Sequence, residues 1–239
     1  MGDALQTESL ETRLWKNTVL MAVPAFLFYA VYVTILDSGF HLTSFAKVIA
    51  GVSNLFLGIS LSLSSFGYYF NFLDSKVVYR KYFGLVGYFA ALFYCVLLAI
   101  VRPERYFFGF FENFFTSDIL LGLLSMVIFT GMALISNNKA MLWIGPQRWR
   151  KYLRFGFLAY FLLVVRAYLN NENPIGSEPI PEMWGLYLTN PEGLPPARLL
   201  FSVIAMAVIF FRLSLEVDKW RKKRYEAAGA QSSPSAPLP

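Results

Sequence analysis

Histidine and cysteine are almost missing from this chain of 239 residues, which has one of each, His41 and Cys95. A Ser-His-Asp triad, a multi-histidine metal site and bis-histidine heme ligation all need imidazoles at set places, and a single imidazole is available. One cysteine forms no internal disulfide and builds no cysteine-based zinc or iron–sulfur centre. Neither a GxGxxG fingerprint nor a P-loop occurs, so any nucleotide, electron donor or energy source is expected on another chain or in the lipid phase. Charge is scarce as well. Charged residues make up 15% of the chain, against 56% hydrophobic and 18% aromatic, too little polar surface to cover a soluble globule of this size.

What remains is a membrane pattern. Apolar runs extend over 18–36, 45–69, 82–101, 119–135, 152–169 and 199–213. Most approach the roughly twenty residues needed to cross about 30 Å of hydrocarbon, and the last is expected to extend at both ends. The sequence therefore predicts an all-α, polytopic membrane protein of six transmembrane helices. The domain reading is an N-terminal interfacial segment over 1–17, a six-helix bundle over 18–216, and a basic anchor with a disordered tail over 217–239. Leu5, Leu10, Leu14 and Trp15 make the first segment weakly amphipathic, so it either lies at the interface or frays. No cleavable signal peptide is expected, because the first apolar run starts late and continues past a typical signal length.

The basic residues set the orientation. Arg13, Lys16, Lys76, Arg80, Lys81, Lys139, Arg148, Arg150, Lys151, Arg154 and the run Lys219 to Arg224 fall on one side, while the other carries Lys47, Arg102, Arg105 and Arg198. By the positive-inside rule both termini are cytoplasmic. The net charge of +6 is explained by this orientation, and no nucleic-acid partner is expected. Anionic headgroups would hold the WRKKR run at about 1 kcal/mol per basic residue. In the second apolar run, Gly51, Ser53, Gly58, Ser60, Ser62, Ser64 and Ser65 suit close backbone packing, with a substrate path as the sharper alternative. The long connection over 170–196 is rich in Pro and Gly around an apolar centre that includes Trp184 and Tyr187. A folded outer cap that touches a partner is expected there.

Two stretches carry a resemblance. Arg80 and Lys81 open RKYFGLVGYFAALFYC, and Gly145 leads into Trp149, Arg150, Lys151, Arg154 and the apolar continuation to Leu169. Together with Ala133 to Ser136, they make the chain resemble the ferric reductase-like transmembrane family. The most similar branch is the six-helix, heme-binding membrane subunit of the bacterial system that repairs periplasmic methionine sulfoxide. That resemblance implies b-type heme between helices, electron transfer across the bilayer and a bacterial-type inner membrane.

Laid without gaps on this sequence, the family's histidine positions fall on Tyr94, Leu153 and Arg166. Tyrosine is a known axial ligand, but leucine coordinates nothing and arginine stays protonated. A continuous fifth helix would separate Leu153 from Arg166 by roughly 20 Å. Arg166 lies close enough to Asn170, Asn171 and Glu172 to snorkel; beside Tyr94 it would instead plug a pocket or hold an anionic group. His41 is expected as a solvated loop residue. No catalytic or metal-ligating residue is expected. The leading expectation is a non-catalytic scaffold or accessory subunit binding a partner protein, lipid or pigment, with Trp149, Arg150, Lys151, Arg154, Trp184 and Tyr187 as contacts. The alternative is an electron-transfer subunit with one atypically ligated heme b or a quinone, served by a separate reductase.

Overall fold

The second apolar run becomes the central helix of the bundle. The computed structural model describes residues 2–37, 39–70, 76, 78–169 and 197–232, and among these the secondary structure is helical, without strands. The helices are α1 (Gly2–Leu36), α2 (Leu42–Tyr69), α3 (Arg80–Val101), α4 (Ser117–Ile135), α5 (Asn138–Ile144), α6 (Pro146–Tyr152), α7 (Phe155–Leu169) and α8 (Ala197–Ser232). A one-turn π-helical segment, Glu104–Phe108, links α3 towards α4.

α2 packs against α1, α3, α7 and α8, while α4 pairs with α7 and touches α3. Small side chains make this possible. The Ser53 hydroxyl donates to the Gly87 carbonyl at 2.8 Å and the Ser60 hydroxyl to the Arg80 carbonyl at 2.7 Å, both across the α2–α3 seam. A methyl group at Gly87 would stand 2.8 Å from the Leu57 backbone nitrogen, and one at Gly51 would meet Phe201 and Tyr29. The small residues of α2 thus serve close packing, with the Ser53 and Ser60 hydroxyls satisfied on the α3 backbone.

The exposed surface is rich in large apolar side chains, although the core is apolar too. Thr18, Ser44, Ser53, Ser60, Ser62, Ser65 and Ser125 are buried, whereas Leu20, Phe28, Val31, Phe89, Ile100, Val127 and Phe210 are exposed. Apolar faces turned outward, with hydroxyls such as those of Thr18, Ser53, Ser60 and Ser125 bonded inside, fit a hydrocarbon surround. Among the described residues, three helices are long and apolar enough to cross a membrane, over Leu10–Leu36, Leu42–Leu63 and Arg80–Val101. Ile119–Ile135 and Phe155–Arg166 are shorter apolar helices.

Three helical boundaries differ from the sequence reading. Residues from Gly2 onward continue into α1 as one helix, and Leu14, Trp15 and Asn17 belong to the bundle: Trp15 meets Tyr82 edge-on at 5.3 Å, and Asn17 donates to the Tyr79 hydroxyl at 3.1 Å. α8 runs to Ser232, well into the stretch expected to be disordered. The fifth apolar run is interrupted. α6 ends at Tyr152, Leu153 and Arg154 form a turn, and α7 starts at Phe155, with Arg154 N–H donating to the Lys151 carbonyl and Phe157 N–H to the Arg154 carbonyl. These tighter three-residue bonds replace the α-helical ladder locally.

The basic ends of the helices come together. α1 runs antiparallel to α2, placing Asn17 at Tyr79, and α8 runs alongside α2, with Phe211 against Phe66 and Ser214 near Tyr69. The start of α1, the start of α3 and the end of α8 therefore share one end of the bundle. At the opposite end, Lys47 pairs with Asp37 at 2.8 Å, and Ser44 donates to the same carboxylate at 2.7 Å, closing the α1–α2 hairpin.

Candidate functional site

The three positions singled out by the family resemblance lie in different surroundings. Tyr94 packs in a cluster with Ala46, Leu97 and Leu98, bordered by Phe45, Ile49 and Tyr106, and so faces the start of α2. Arg166 occupies the last turn of α7 and lies over α4. Its guanidinium carbon would be 3.5 Å from a methyl group placed on Gly122, so the glycine leaves room for the guanidinium along the α4 backbone. It is also within electrostatic range of Cys95 on α3.

Leu153 sits in the turn between α6 and α7, where its N–H donates to the Trp149 and Lys151 carbonyls. The expected uninterrupted helical rise from Leu153 to Arg166 does not apply, because α7 begins two residues after Leu153. Of the three, Tyr94 alone offers a lone pair to iron. This set does not fit a histidine-ligated heme. His41 caps the N-terminus of α2 with an exposed side chain that makes no capping hydrogen bond. Among the described residues, no three His, Cys, Asp or Glu side chains gather as a metal site would require.

The basic end holds a more developed feature. Asn137 joins α4 to α5: its amide nitrogen donates to the Leu134 carbonyl at 2.9 Å, and its side-chain oxygen accepts from Ala140 N–H at 2.6 Å. Gly145 then adopts φ +86°, a left-handed value that glycine takes without steric cost, and Pro146 starts α6 with a fixed helical φ. The indole N–H of Trp149 returns to the Ile135 carbonyl at 2.8 Å, anchoring α6 under the end of α4. Between them lies an open groove of about 630 Å³ lined by Ile128, Met132, Trp143, Arg148, Tyr152 and Phe155 among others.

Trp149 is thus a structural anchor of the groove, and the exposed Arg148, Lys151 and Arg154 lie on the segment that borders it. The Arg150 side chain, Trp184 and Tyr187 lie outside the described residues. Two features escaped sequence reasoning. Trp143 is 88% exposed beside Leu142 on α5, and Phe107, Phe108, Phe111 and Phe115 are exposed on the link between α3 and α4. The signal for the second was the written pattern FFGFFENFF, whose aromatic density suits a membrane interface.

No family model matches the chain, and no curated protein is similar to it.

Proposed function

We infer that the protein is a non-catalytic membrane scaffold or accessory subunit, built on a ferric reductase-like bundle, that binds a partner protein, lipid or pigment. The observation that carries this reading is the combined chemistry and placement of Tyr94, Leu153 and Arg166. One packs into an apolar cluster, one lies in a turn and lacks a donor atom, and one lays a permanent cation over α4. Binding at the groove between α4 and α6 suits the same reading, since its walls are apolar and its edge carries Arg148 and Tyr152.

In the bilayer this proposal has six spans, with both termini on the cytoplasmic side of a bacterial-type inner membrane. Support comes from six apolar runs that fall on α1, α2, α3, α4, α7 and α8, and from basic residues concentrated where α1 and α3 begin and α8 ends. Reporter fusions after the fifth and sixth apolar runs test the sidedness. Activity of a periplasmic reporter at the C-terminus would overturn it.

The competing reading, one atypically ligated heme or a quinone served by a separate reductase, rests on Tyr94 as an available oxygen ligand. A visible absorption spectrum of protein purified in mild detergent separates the two. The scaffold reading expects no stoichiometric Soret band; a dithionite-reducible band that disappears in Tyr94→Phe would replace it with the electron-transfer reading.

A further inference from the structure

Arg212 is a like-charge neighbour of both Arg80 and Arg154, three arginines from separate parts of the chain. Arg80 opens α3 and lies within electrostatic range of Arg212 on α8, which is in turn within range of Arg154 in the turn before α7. The Arg80 backbone is fixed on α2 by the Ser60 hydroxyl, which donates to its carbonyl at 2.7 Å, and helical side chains lean towards their own N-terminus, here the basic end. Arg212 is held from two sides: its guanidinium stands 4.8 Å over the Phe157 ring, and Glu216 pairs with it one turn later. No described residue pairs with the Arg80 or Arg154 guanidinium. Three arginines against one glutamate (3 − 1) leave a formal excess of two positive charges among these four residues.

Repulsion between like charges at a low-dielectric helix junction is unfavourable unless an anion offsets it. A second observation lies alongside. Ser65 is completely buried, at 0% exposure, and its hydroxyl has no hydrogen-bond partner. It follows Leu61 by one helical turn on α2, and Leu61 is the residue that approaches Gly156 near the start of α7. Its hydroxyl is therefore carried on the stripe of α2 that faces α7, one turn closer to Arg154. Unpaired guanidinium groups and a free buried hydroxyl together supply the donors that a phosphate oxygen accepts.

We propose that Arg80, Arg154, Arg212 and Ser65 form a binding site for a phosphate-bearing anion, occupied by the headgroup phosphate of an anionic phospholipid from the adjacent leaflet. Arg80 and Arg212 hold the charge, Ser65 reaches the deepest oxygen, and Arg154 closes the exposed rim. The site rests on the membrane-embedded reading of the bundle and not on the scaffold role: a heme spectrum would overturn the latter and leave the former standing.

The test uses the full chain in mild detergent, titrated in separate arms with phosphatidylglycerol, phosphatidylcholine and inorganic phosphate, and read by native mass spectrometry and thermal unfolding. One phosphatidylglycerol should bind per chain and raise the midpoint more than phosphatidylcholine does. Arg80→Gln should weaken that binding about tenfold, the loss of one charge-assisted contact. Ser65→Ala should weaken it less and guards against an Arg80 variant that fails to fold. A response to inorganic phosphate of the same size, lost in the same variants, supports the site and assigns it to a soluble anion. Absence of response in all arms, or equal responses in wild type and both variants, overturns it. So does an Arg80→Gln protein that is more stable than wild type without any anion-dependent shift in either, since the cluster would then be plain repulsion.

Discussion

The Tyr160 hydroxyl donates to the Asn54 backbone carbonyl at 2.9 Å, and the Asn54 side chain donates onward to the Phe201 carbonyl at 3.1 Å. Through these two bonds α7, α2 and α8 are joined at one level of the bundle. Tyr160 is fully buried, so no solvent replaces its contact.

Removing that hydroxyl tests the tie. Tyr160→Phe should destabilise the protein by about 1 kcal/mol, in the range found for hydrogen bonds between membrane helices. A methyl at Gly58 would come 2.8 Å from the Tyr160 oxygen, with Val208 next at 3.3 Å. Gly58→Ala should therefore cost less in the Tyr160→Phe background than in the wild type. Thermal unfolding of the four proteins in one detergent gives the coupling, and strict additivity would show that the two positions do not share this contact.

Two glycines should respond in opposite directions. A methyl at Gly87 would press on the Leu57 backbone nitrogen, which cannot rotate away, whereas a methyl at Gly131 would meet nothing within 4 Å. Gly87→Ala should cost about 1–3 kcal/mol through overpacking of the α2–α3 seam. Gly131→Ala should be neutral or stabilise by up to about 1 kcal/mol, the helix preference of alanine over glycine. Equal midpoint shifts for the two variants would contradict the close approach of α2 and α3.

Trp149 offers a local test of the groove. Trp149→Phe retains an aromatic ring but loses the 2.8 Å bond to the Ile135 carbonyl. A loss of about 1 kcal/mol is expected. Proteolysis should accelerate between α4 and α7 while the α2–α3 region keeps its resistance. Unchanged cleavage over 136–154 would mean that α6 is held by other contacts.

Much of the helical plan could be read from the chain because apolar runs record it directly, and the ends of α2 and α3 follow the limits of their runs closely. The small residues of α2 were also legible, since Gly51, Ser53, Gly58 and Ser60 are poor lipid-facing choices. The break at Leu153 was not, because it depends on competing three- and four-residue hydrogen bonds in an otherwise helix-compatible stretch. Nor could the sequence place Arg212 near both Arg80 and Arg154. That neighbourhood depends on how α3, α7 and α8 are arranged around α2, contacts that join residues far apart in the chain. Tyr160 and Asn54, 106 positions apart, belong to the same class. Tyr94 and Arg166 could be singled out by the resemblance, but the apolar neighbours of one and the Gly122 recess beneath the other are tertiary facts.

α1 and α8 contain 35 and 36 residues. At a helical rise of about 1.5 Å per residue each is more than 50 Å long, against roughly 30 Å of hydrocarbon. Because the start of α1 and the end of α8 lie at the same end of the bundle, the excess length accumulates there. α1 and α8 therefore continue past the hydrocarbon as two helical arms, rooted where Trp15 meets Tyr82 and where Ser214 lies near Tyr69, and a molecule on that side of the bundle meets these arms first.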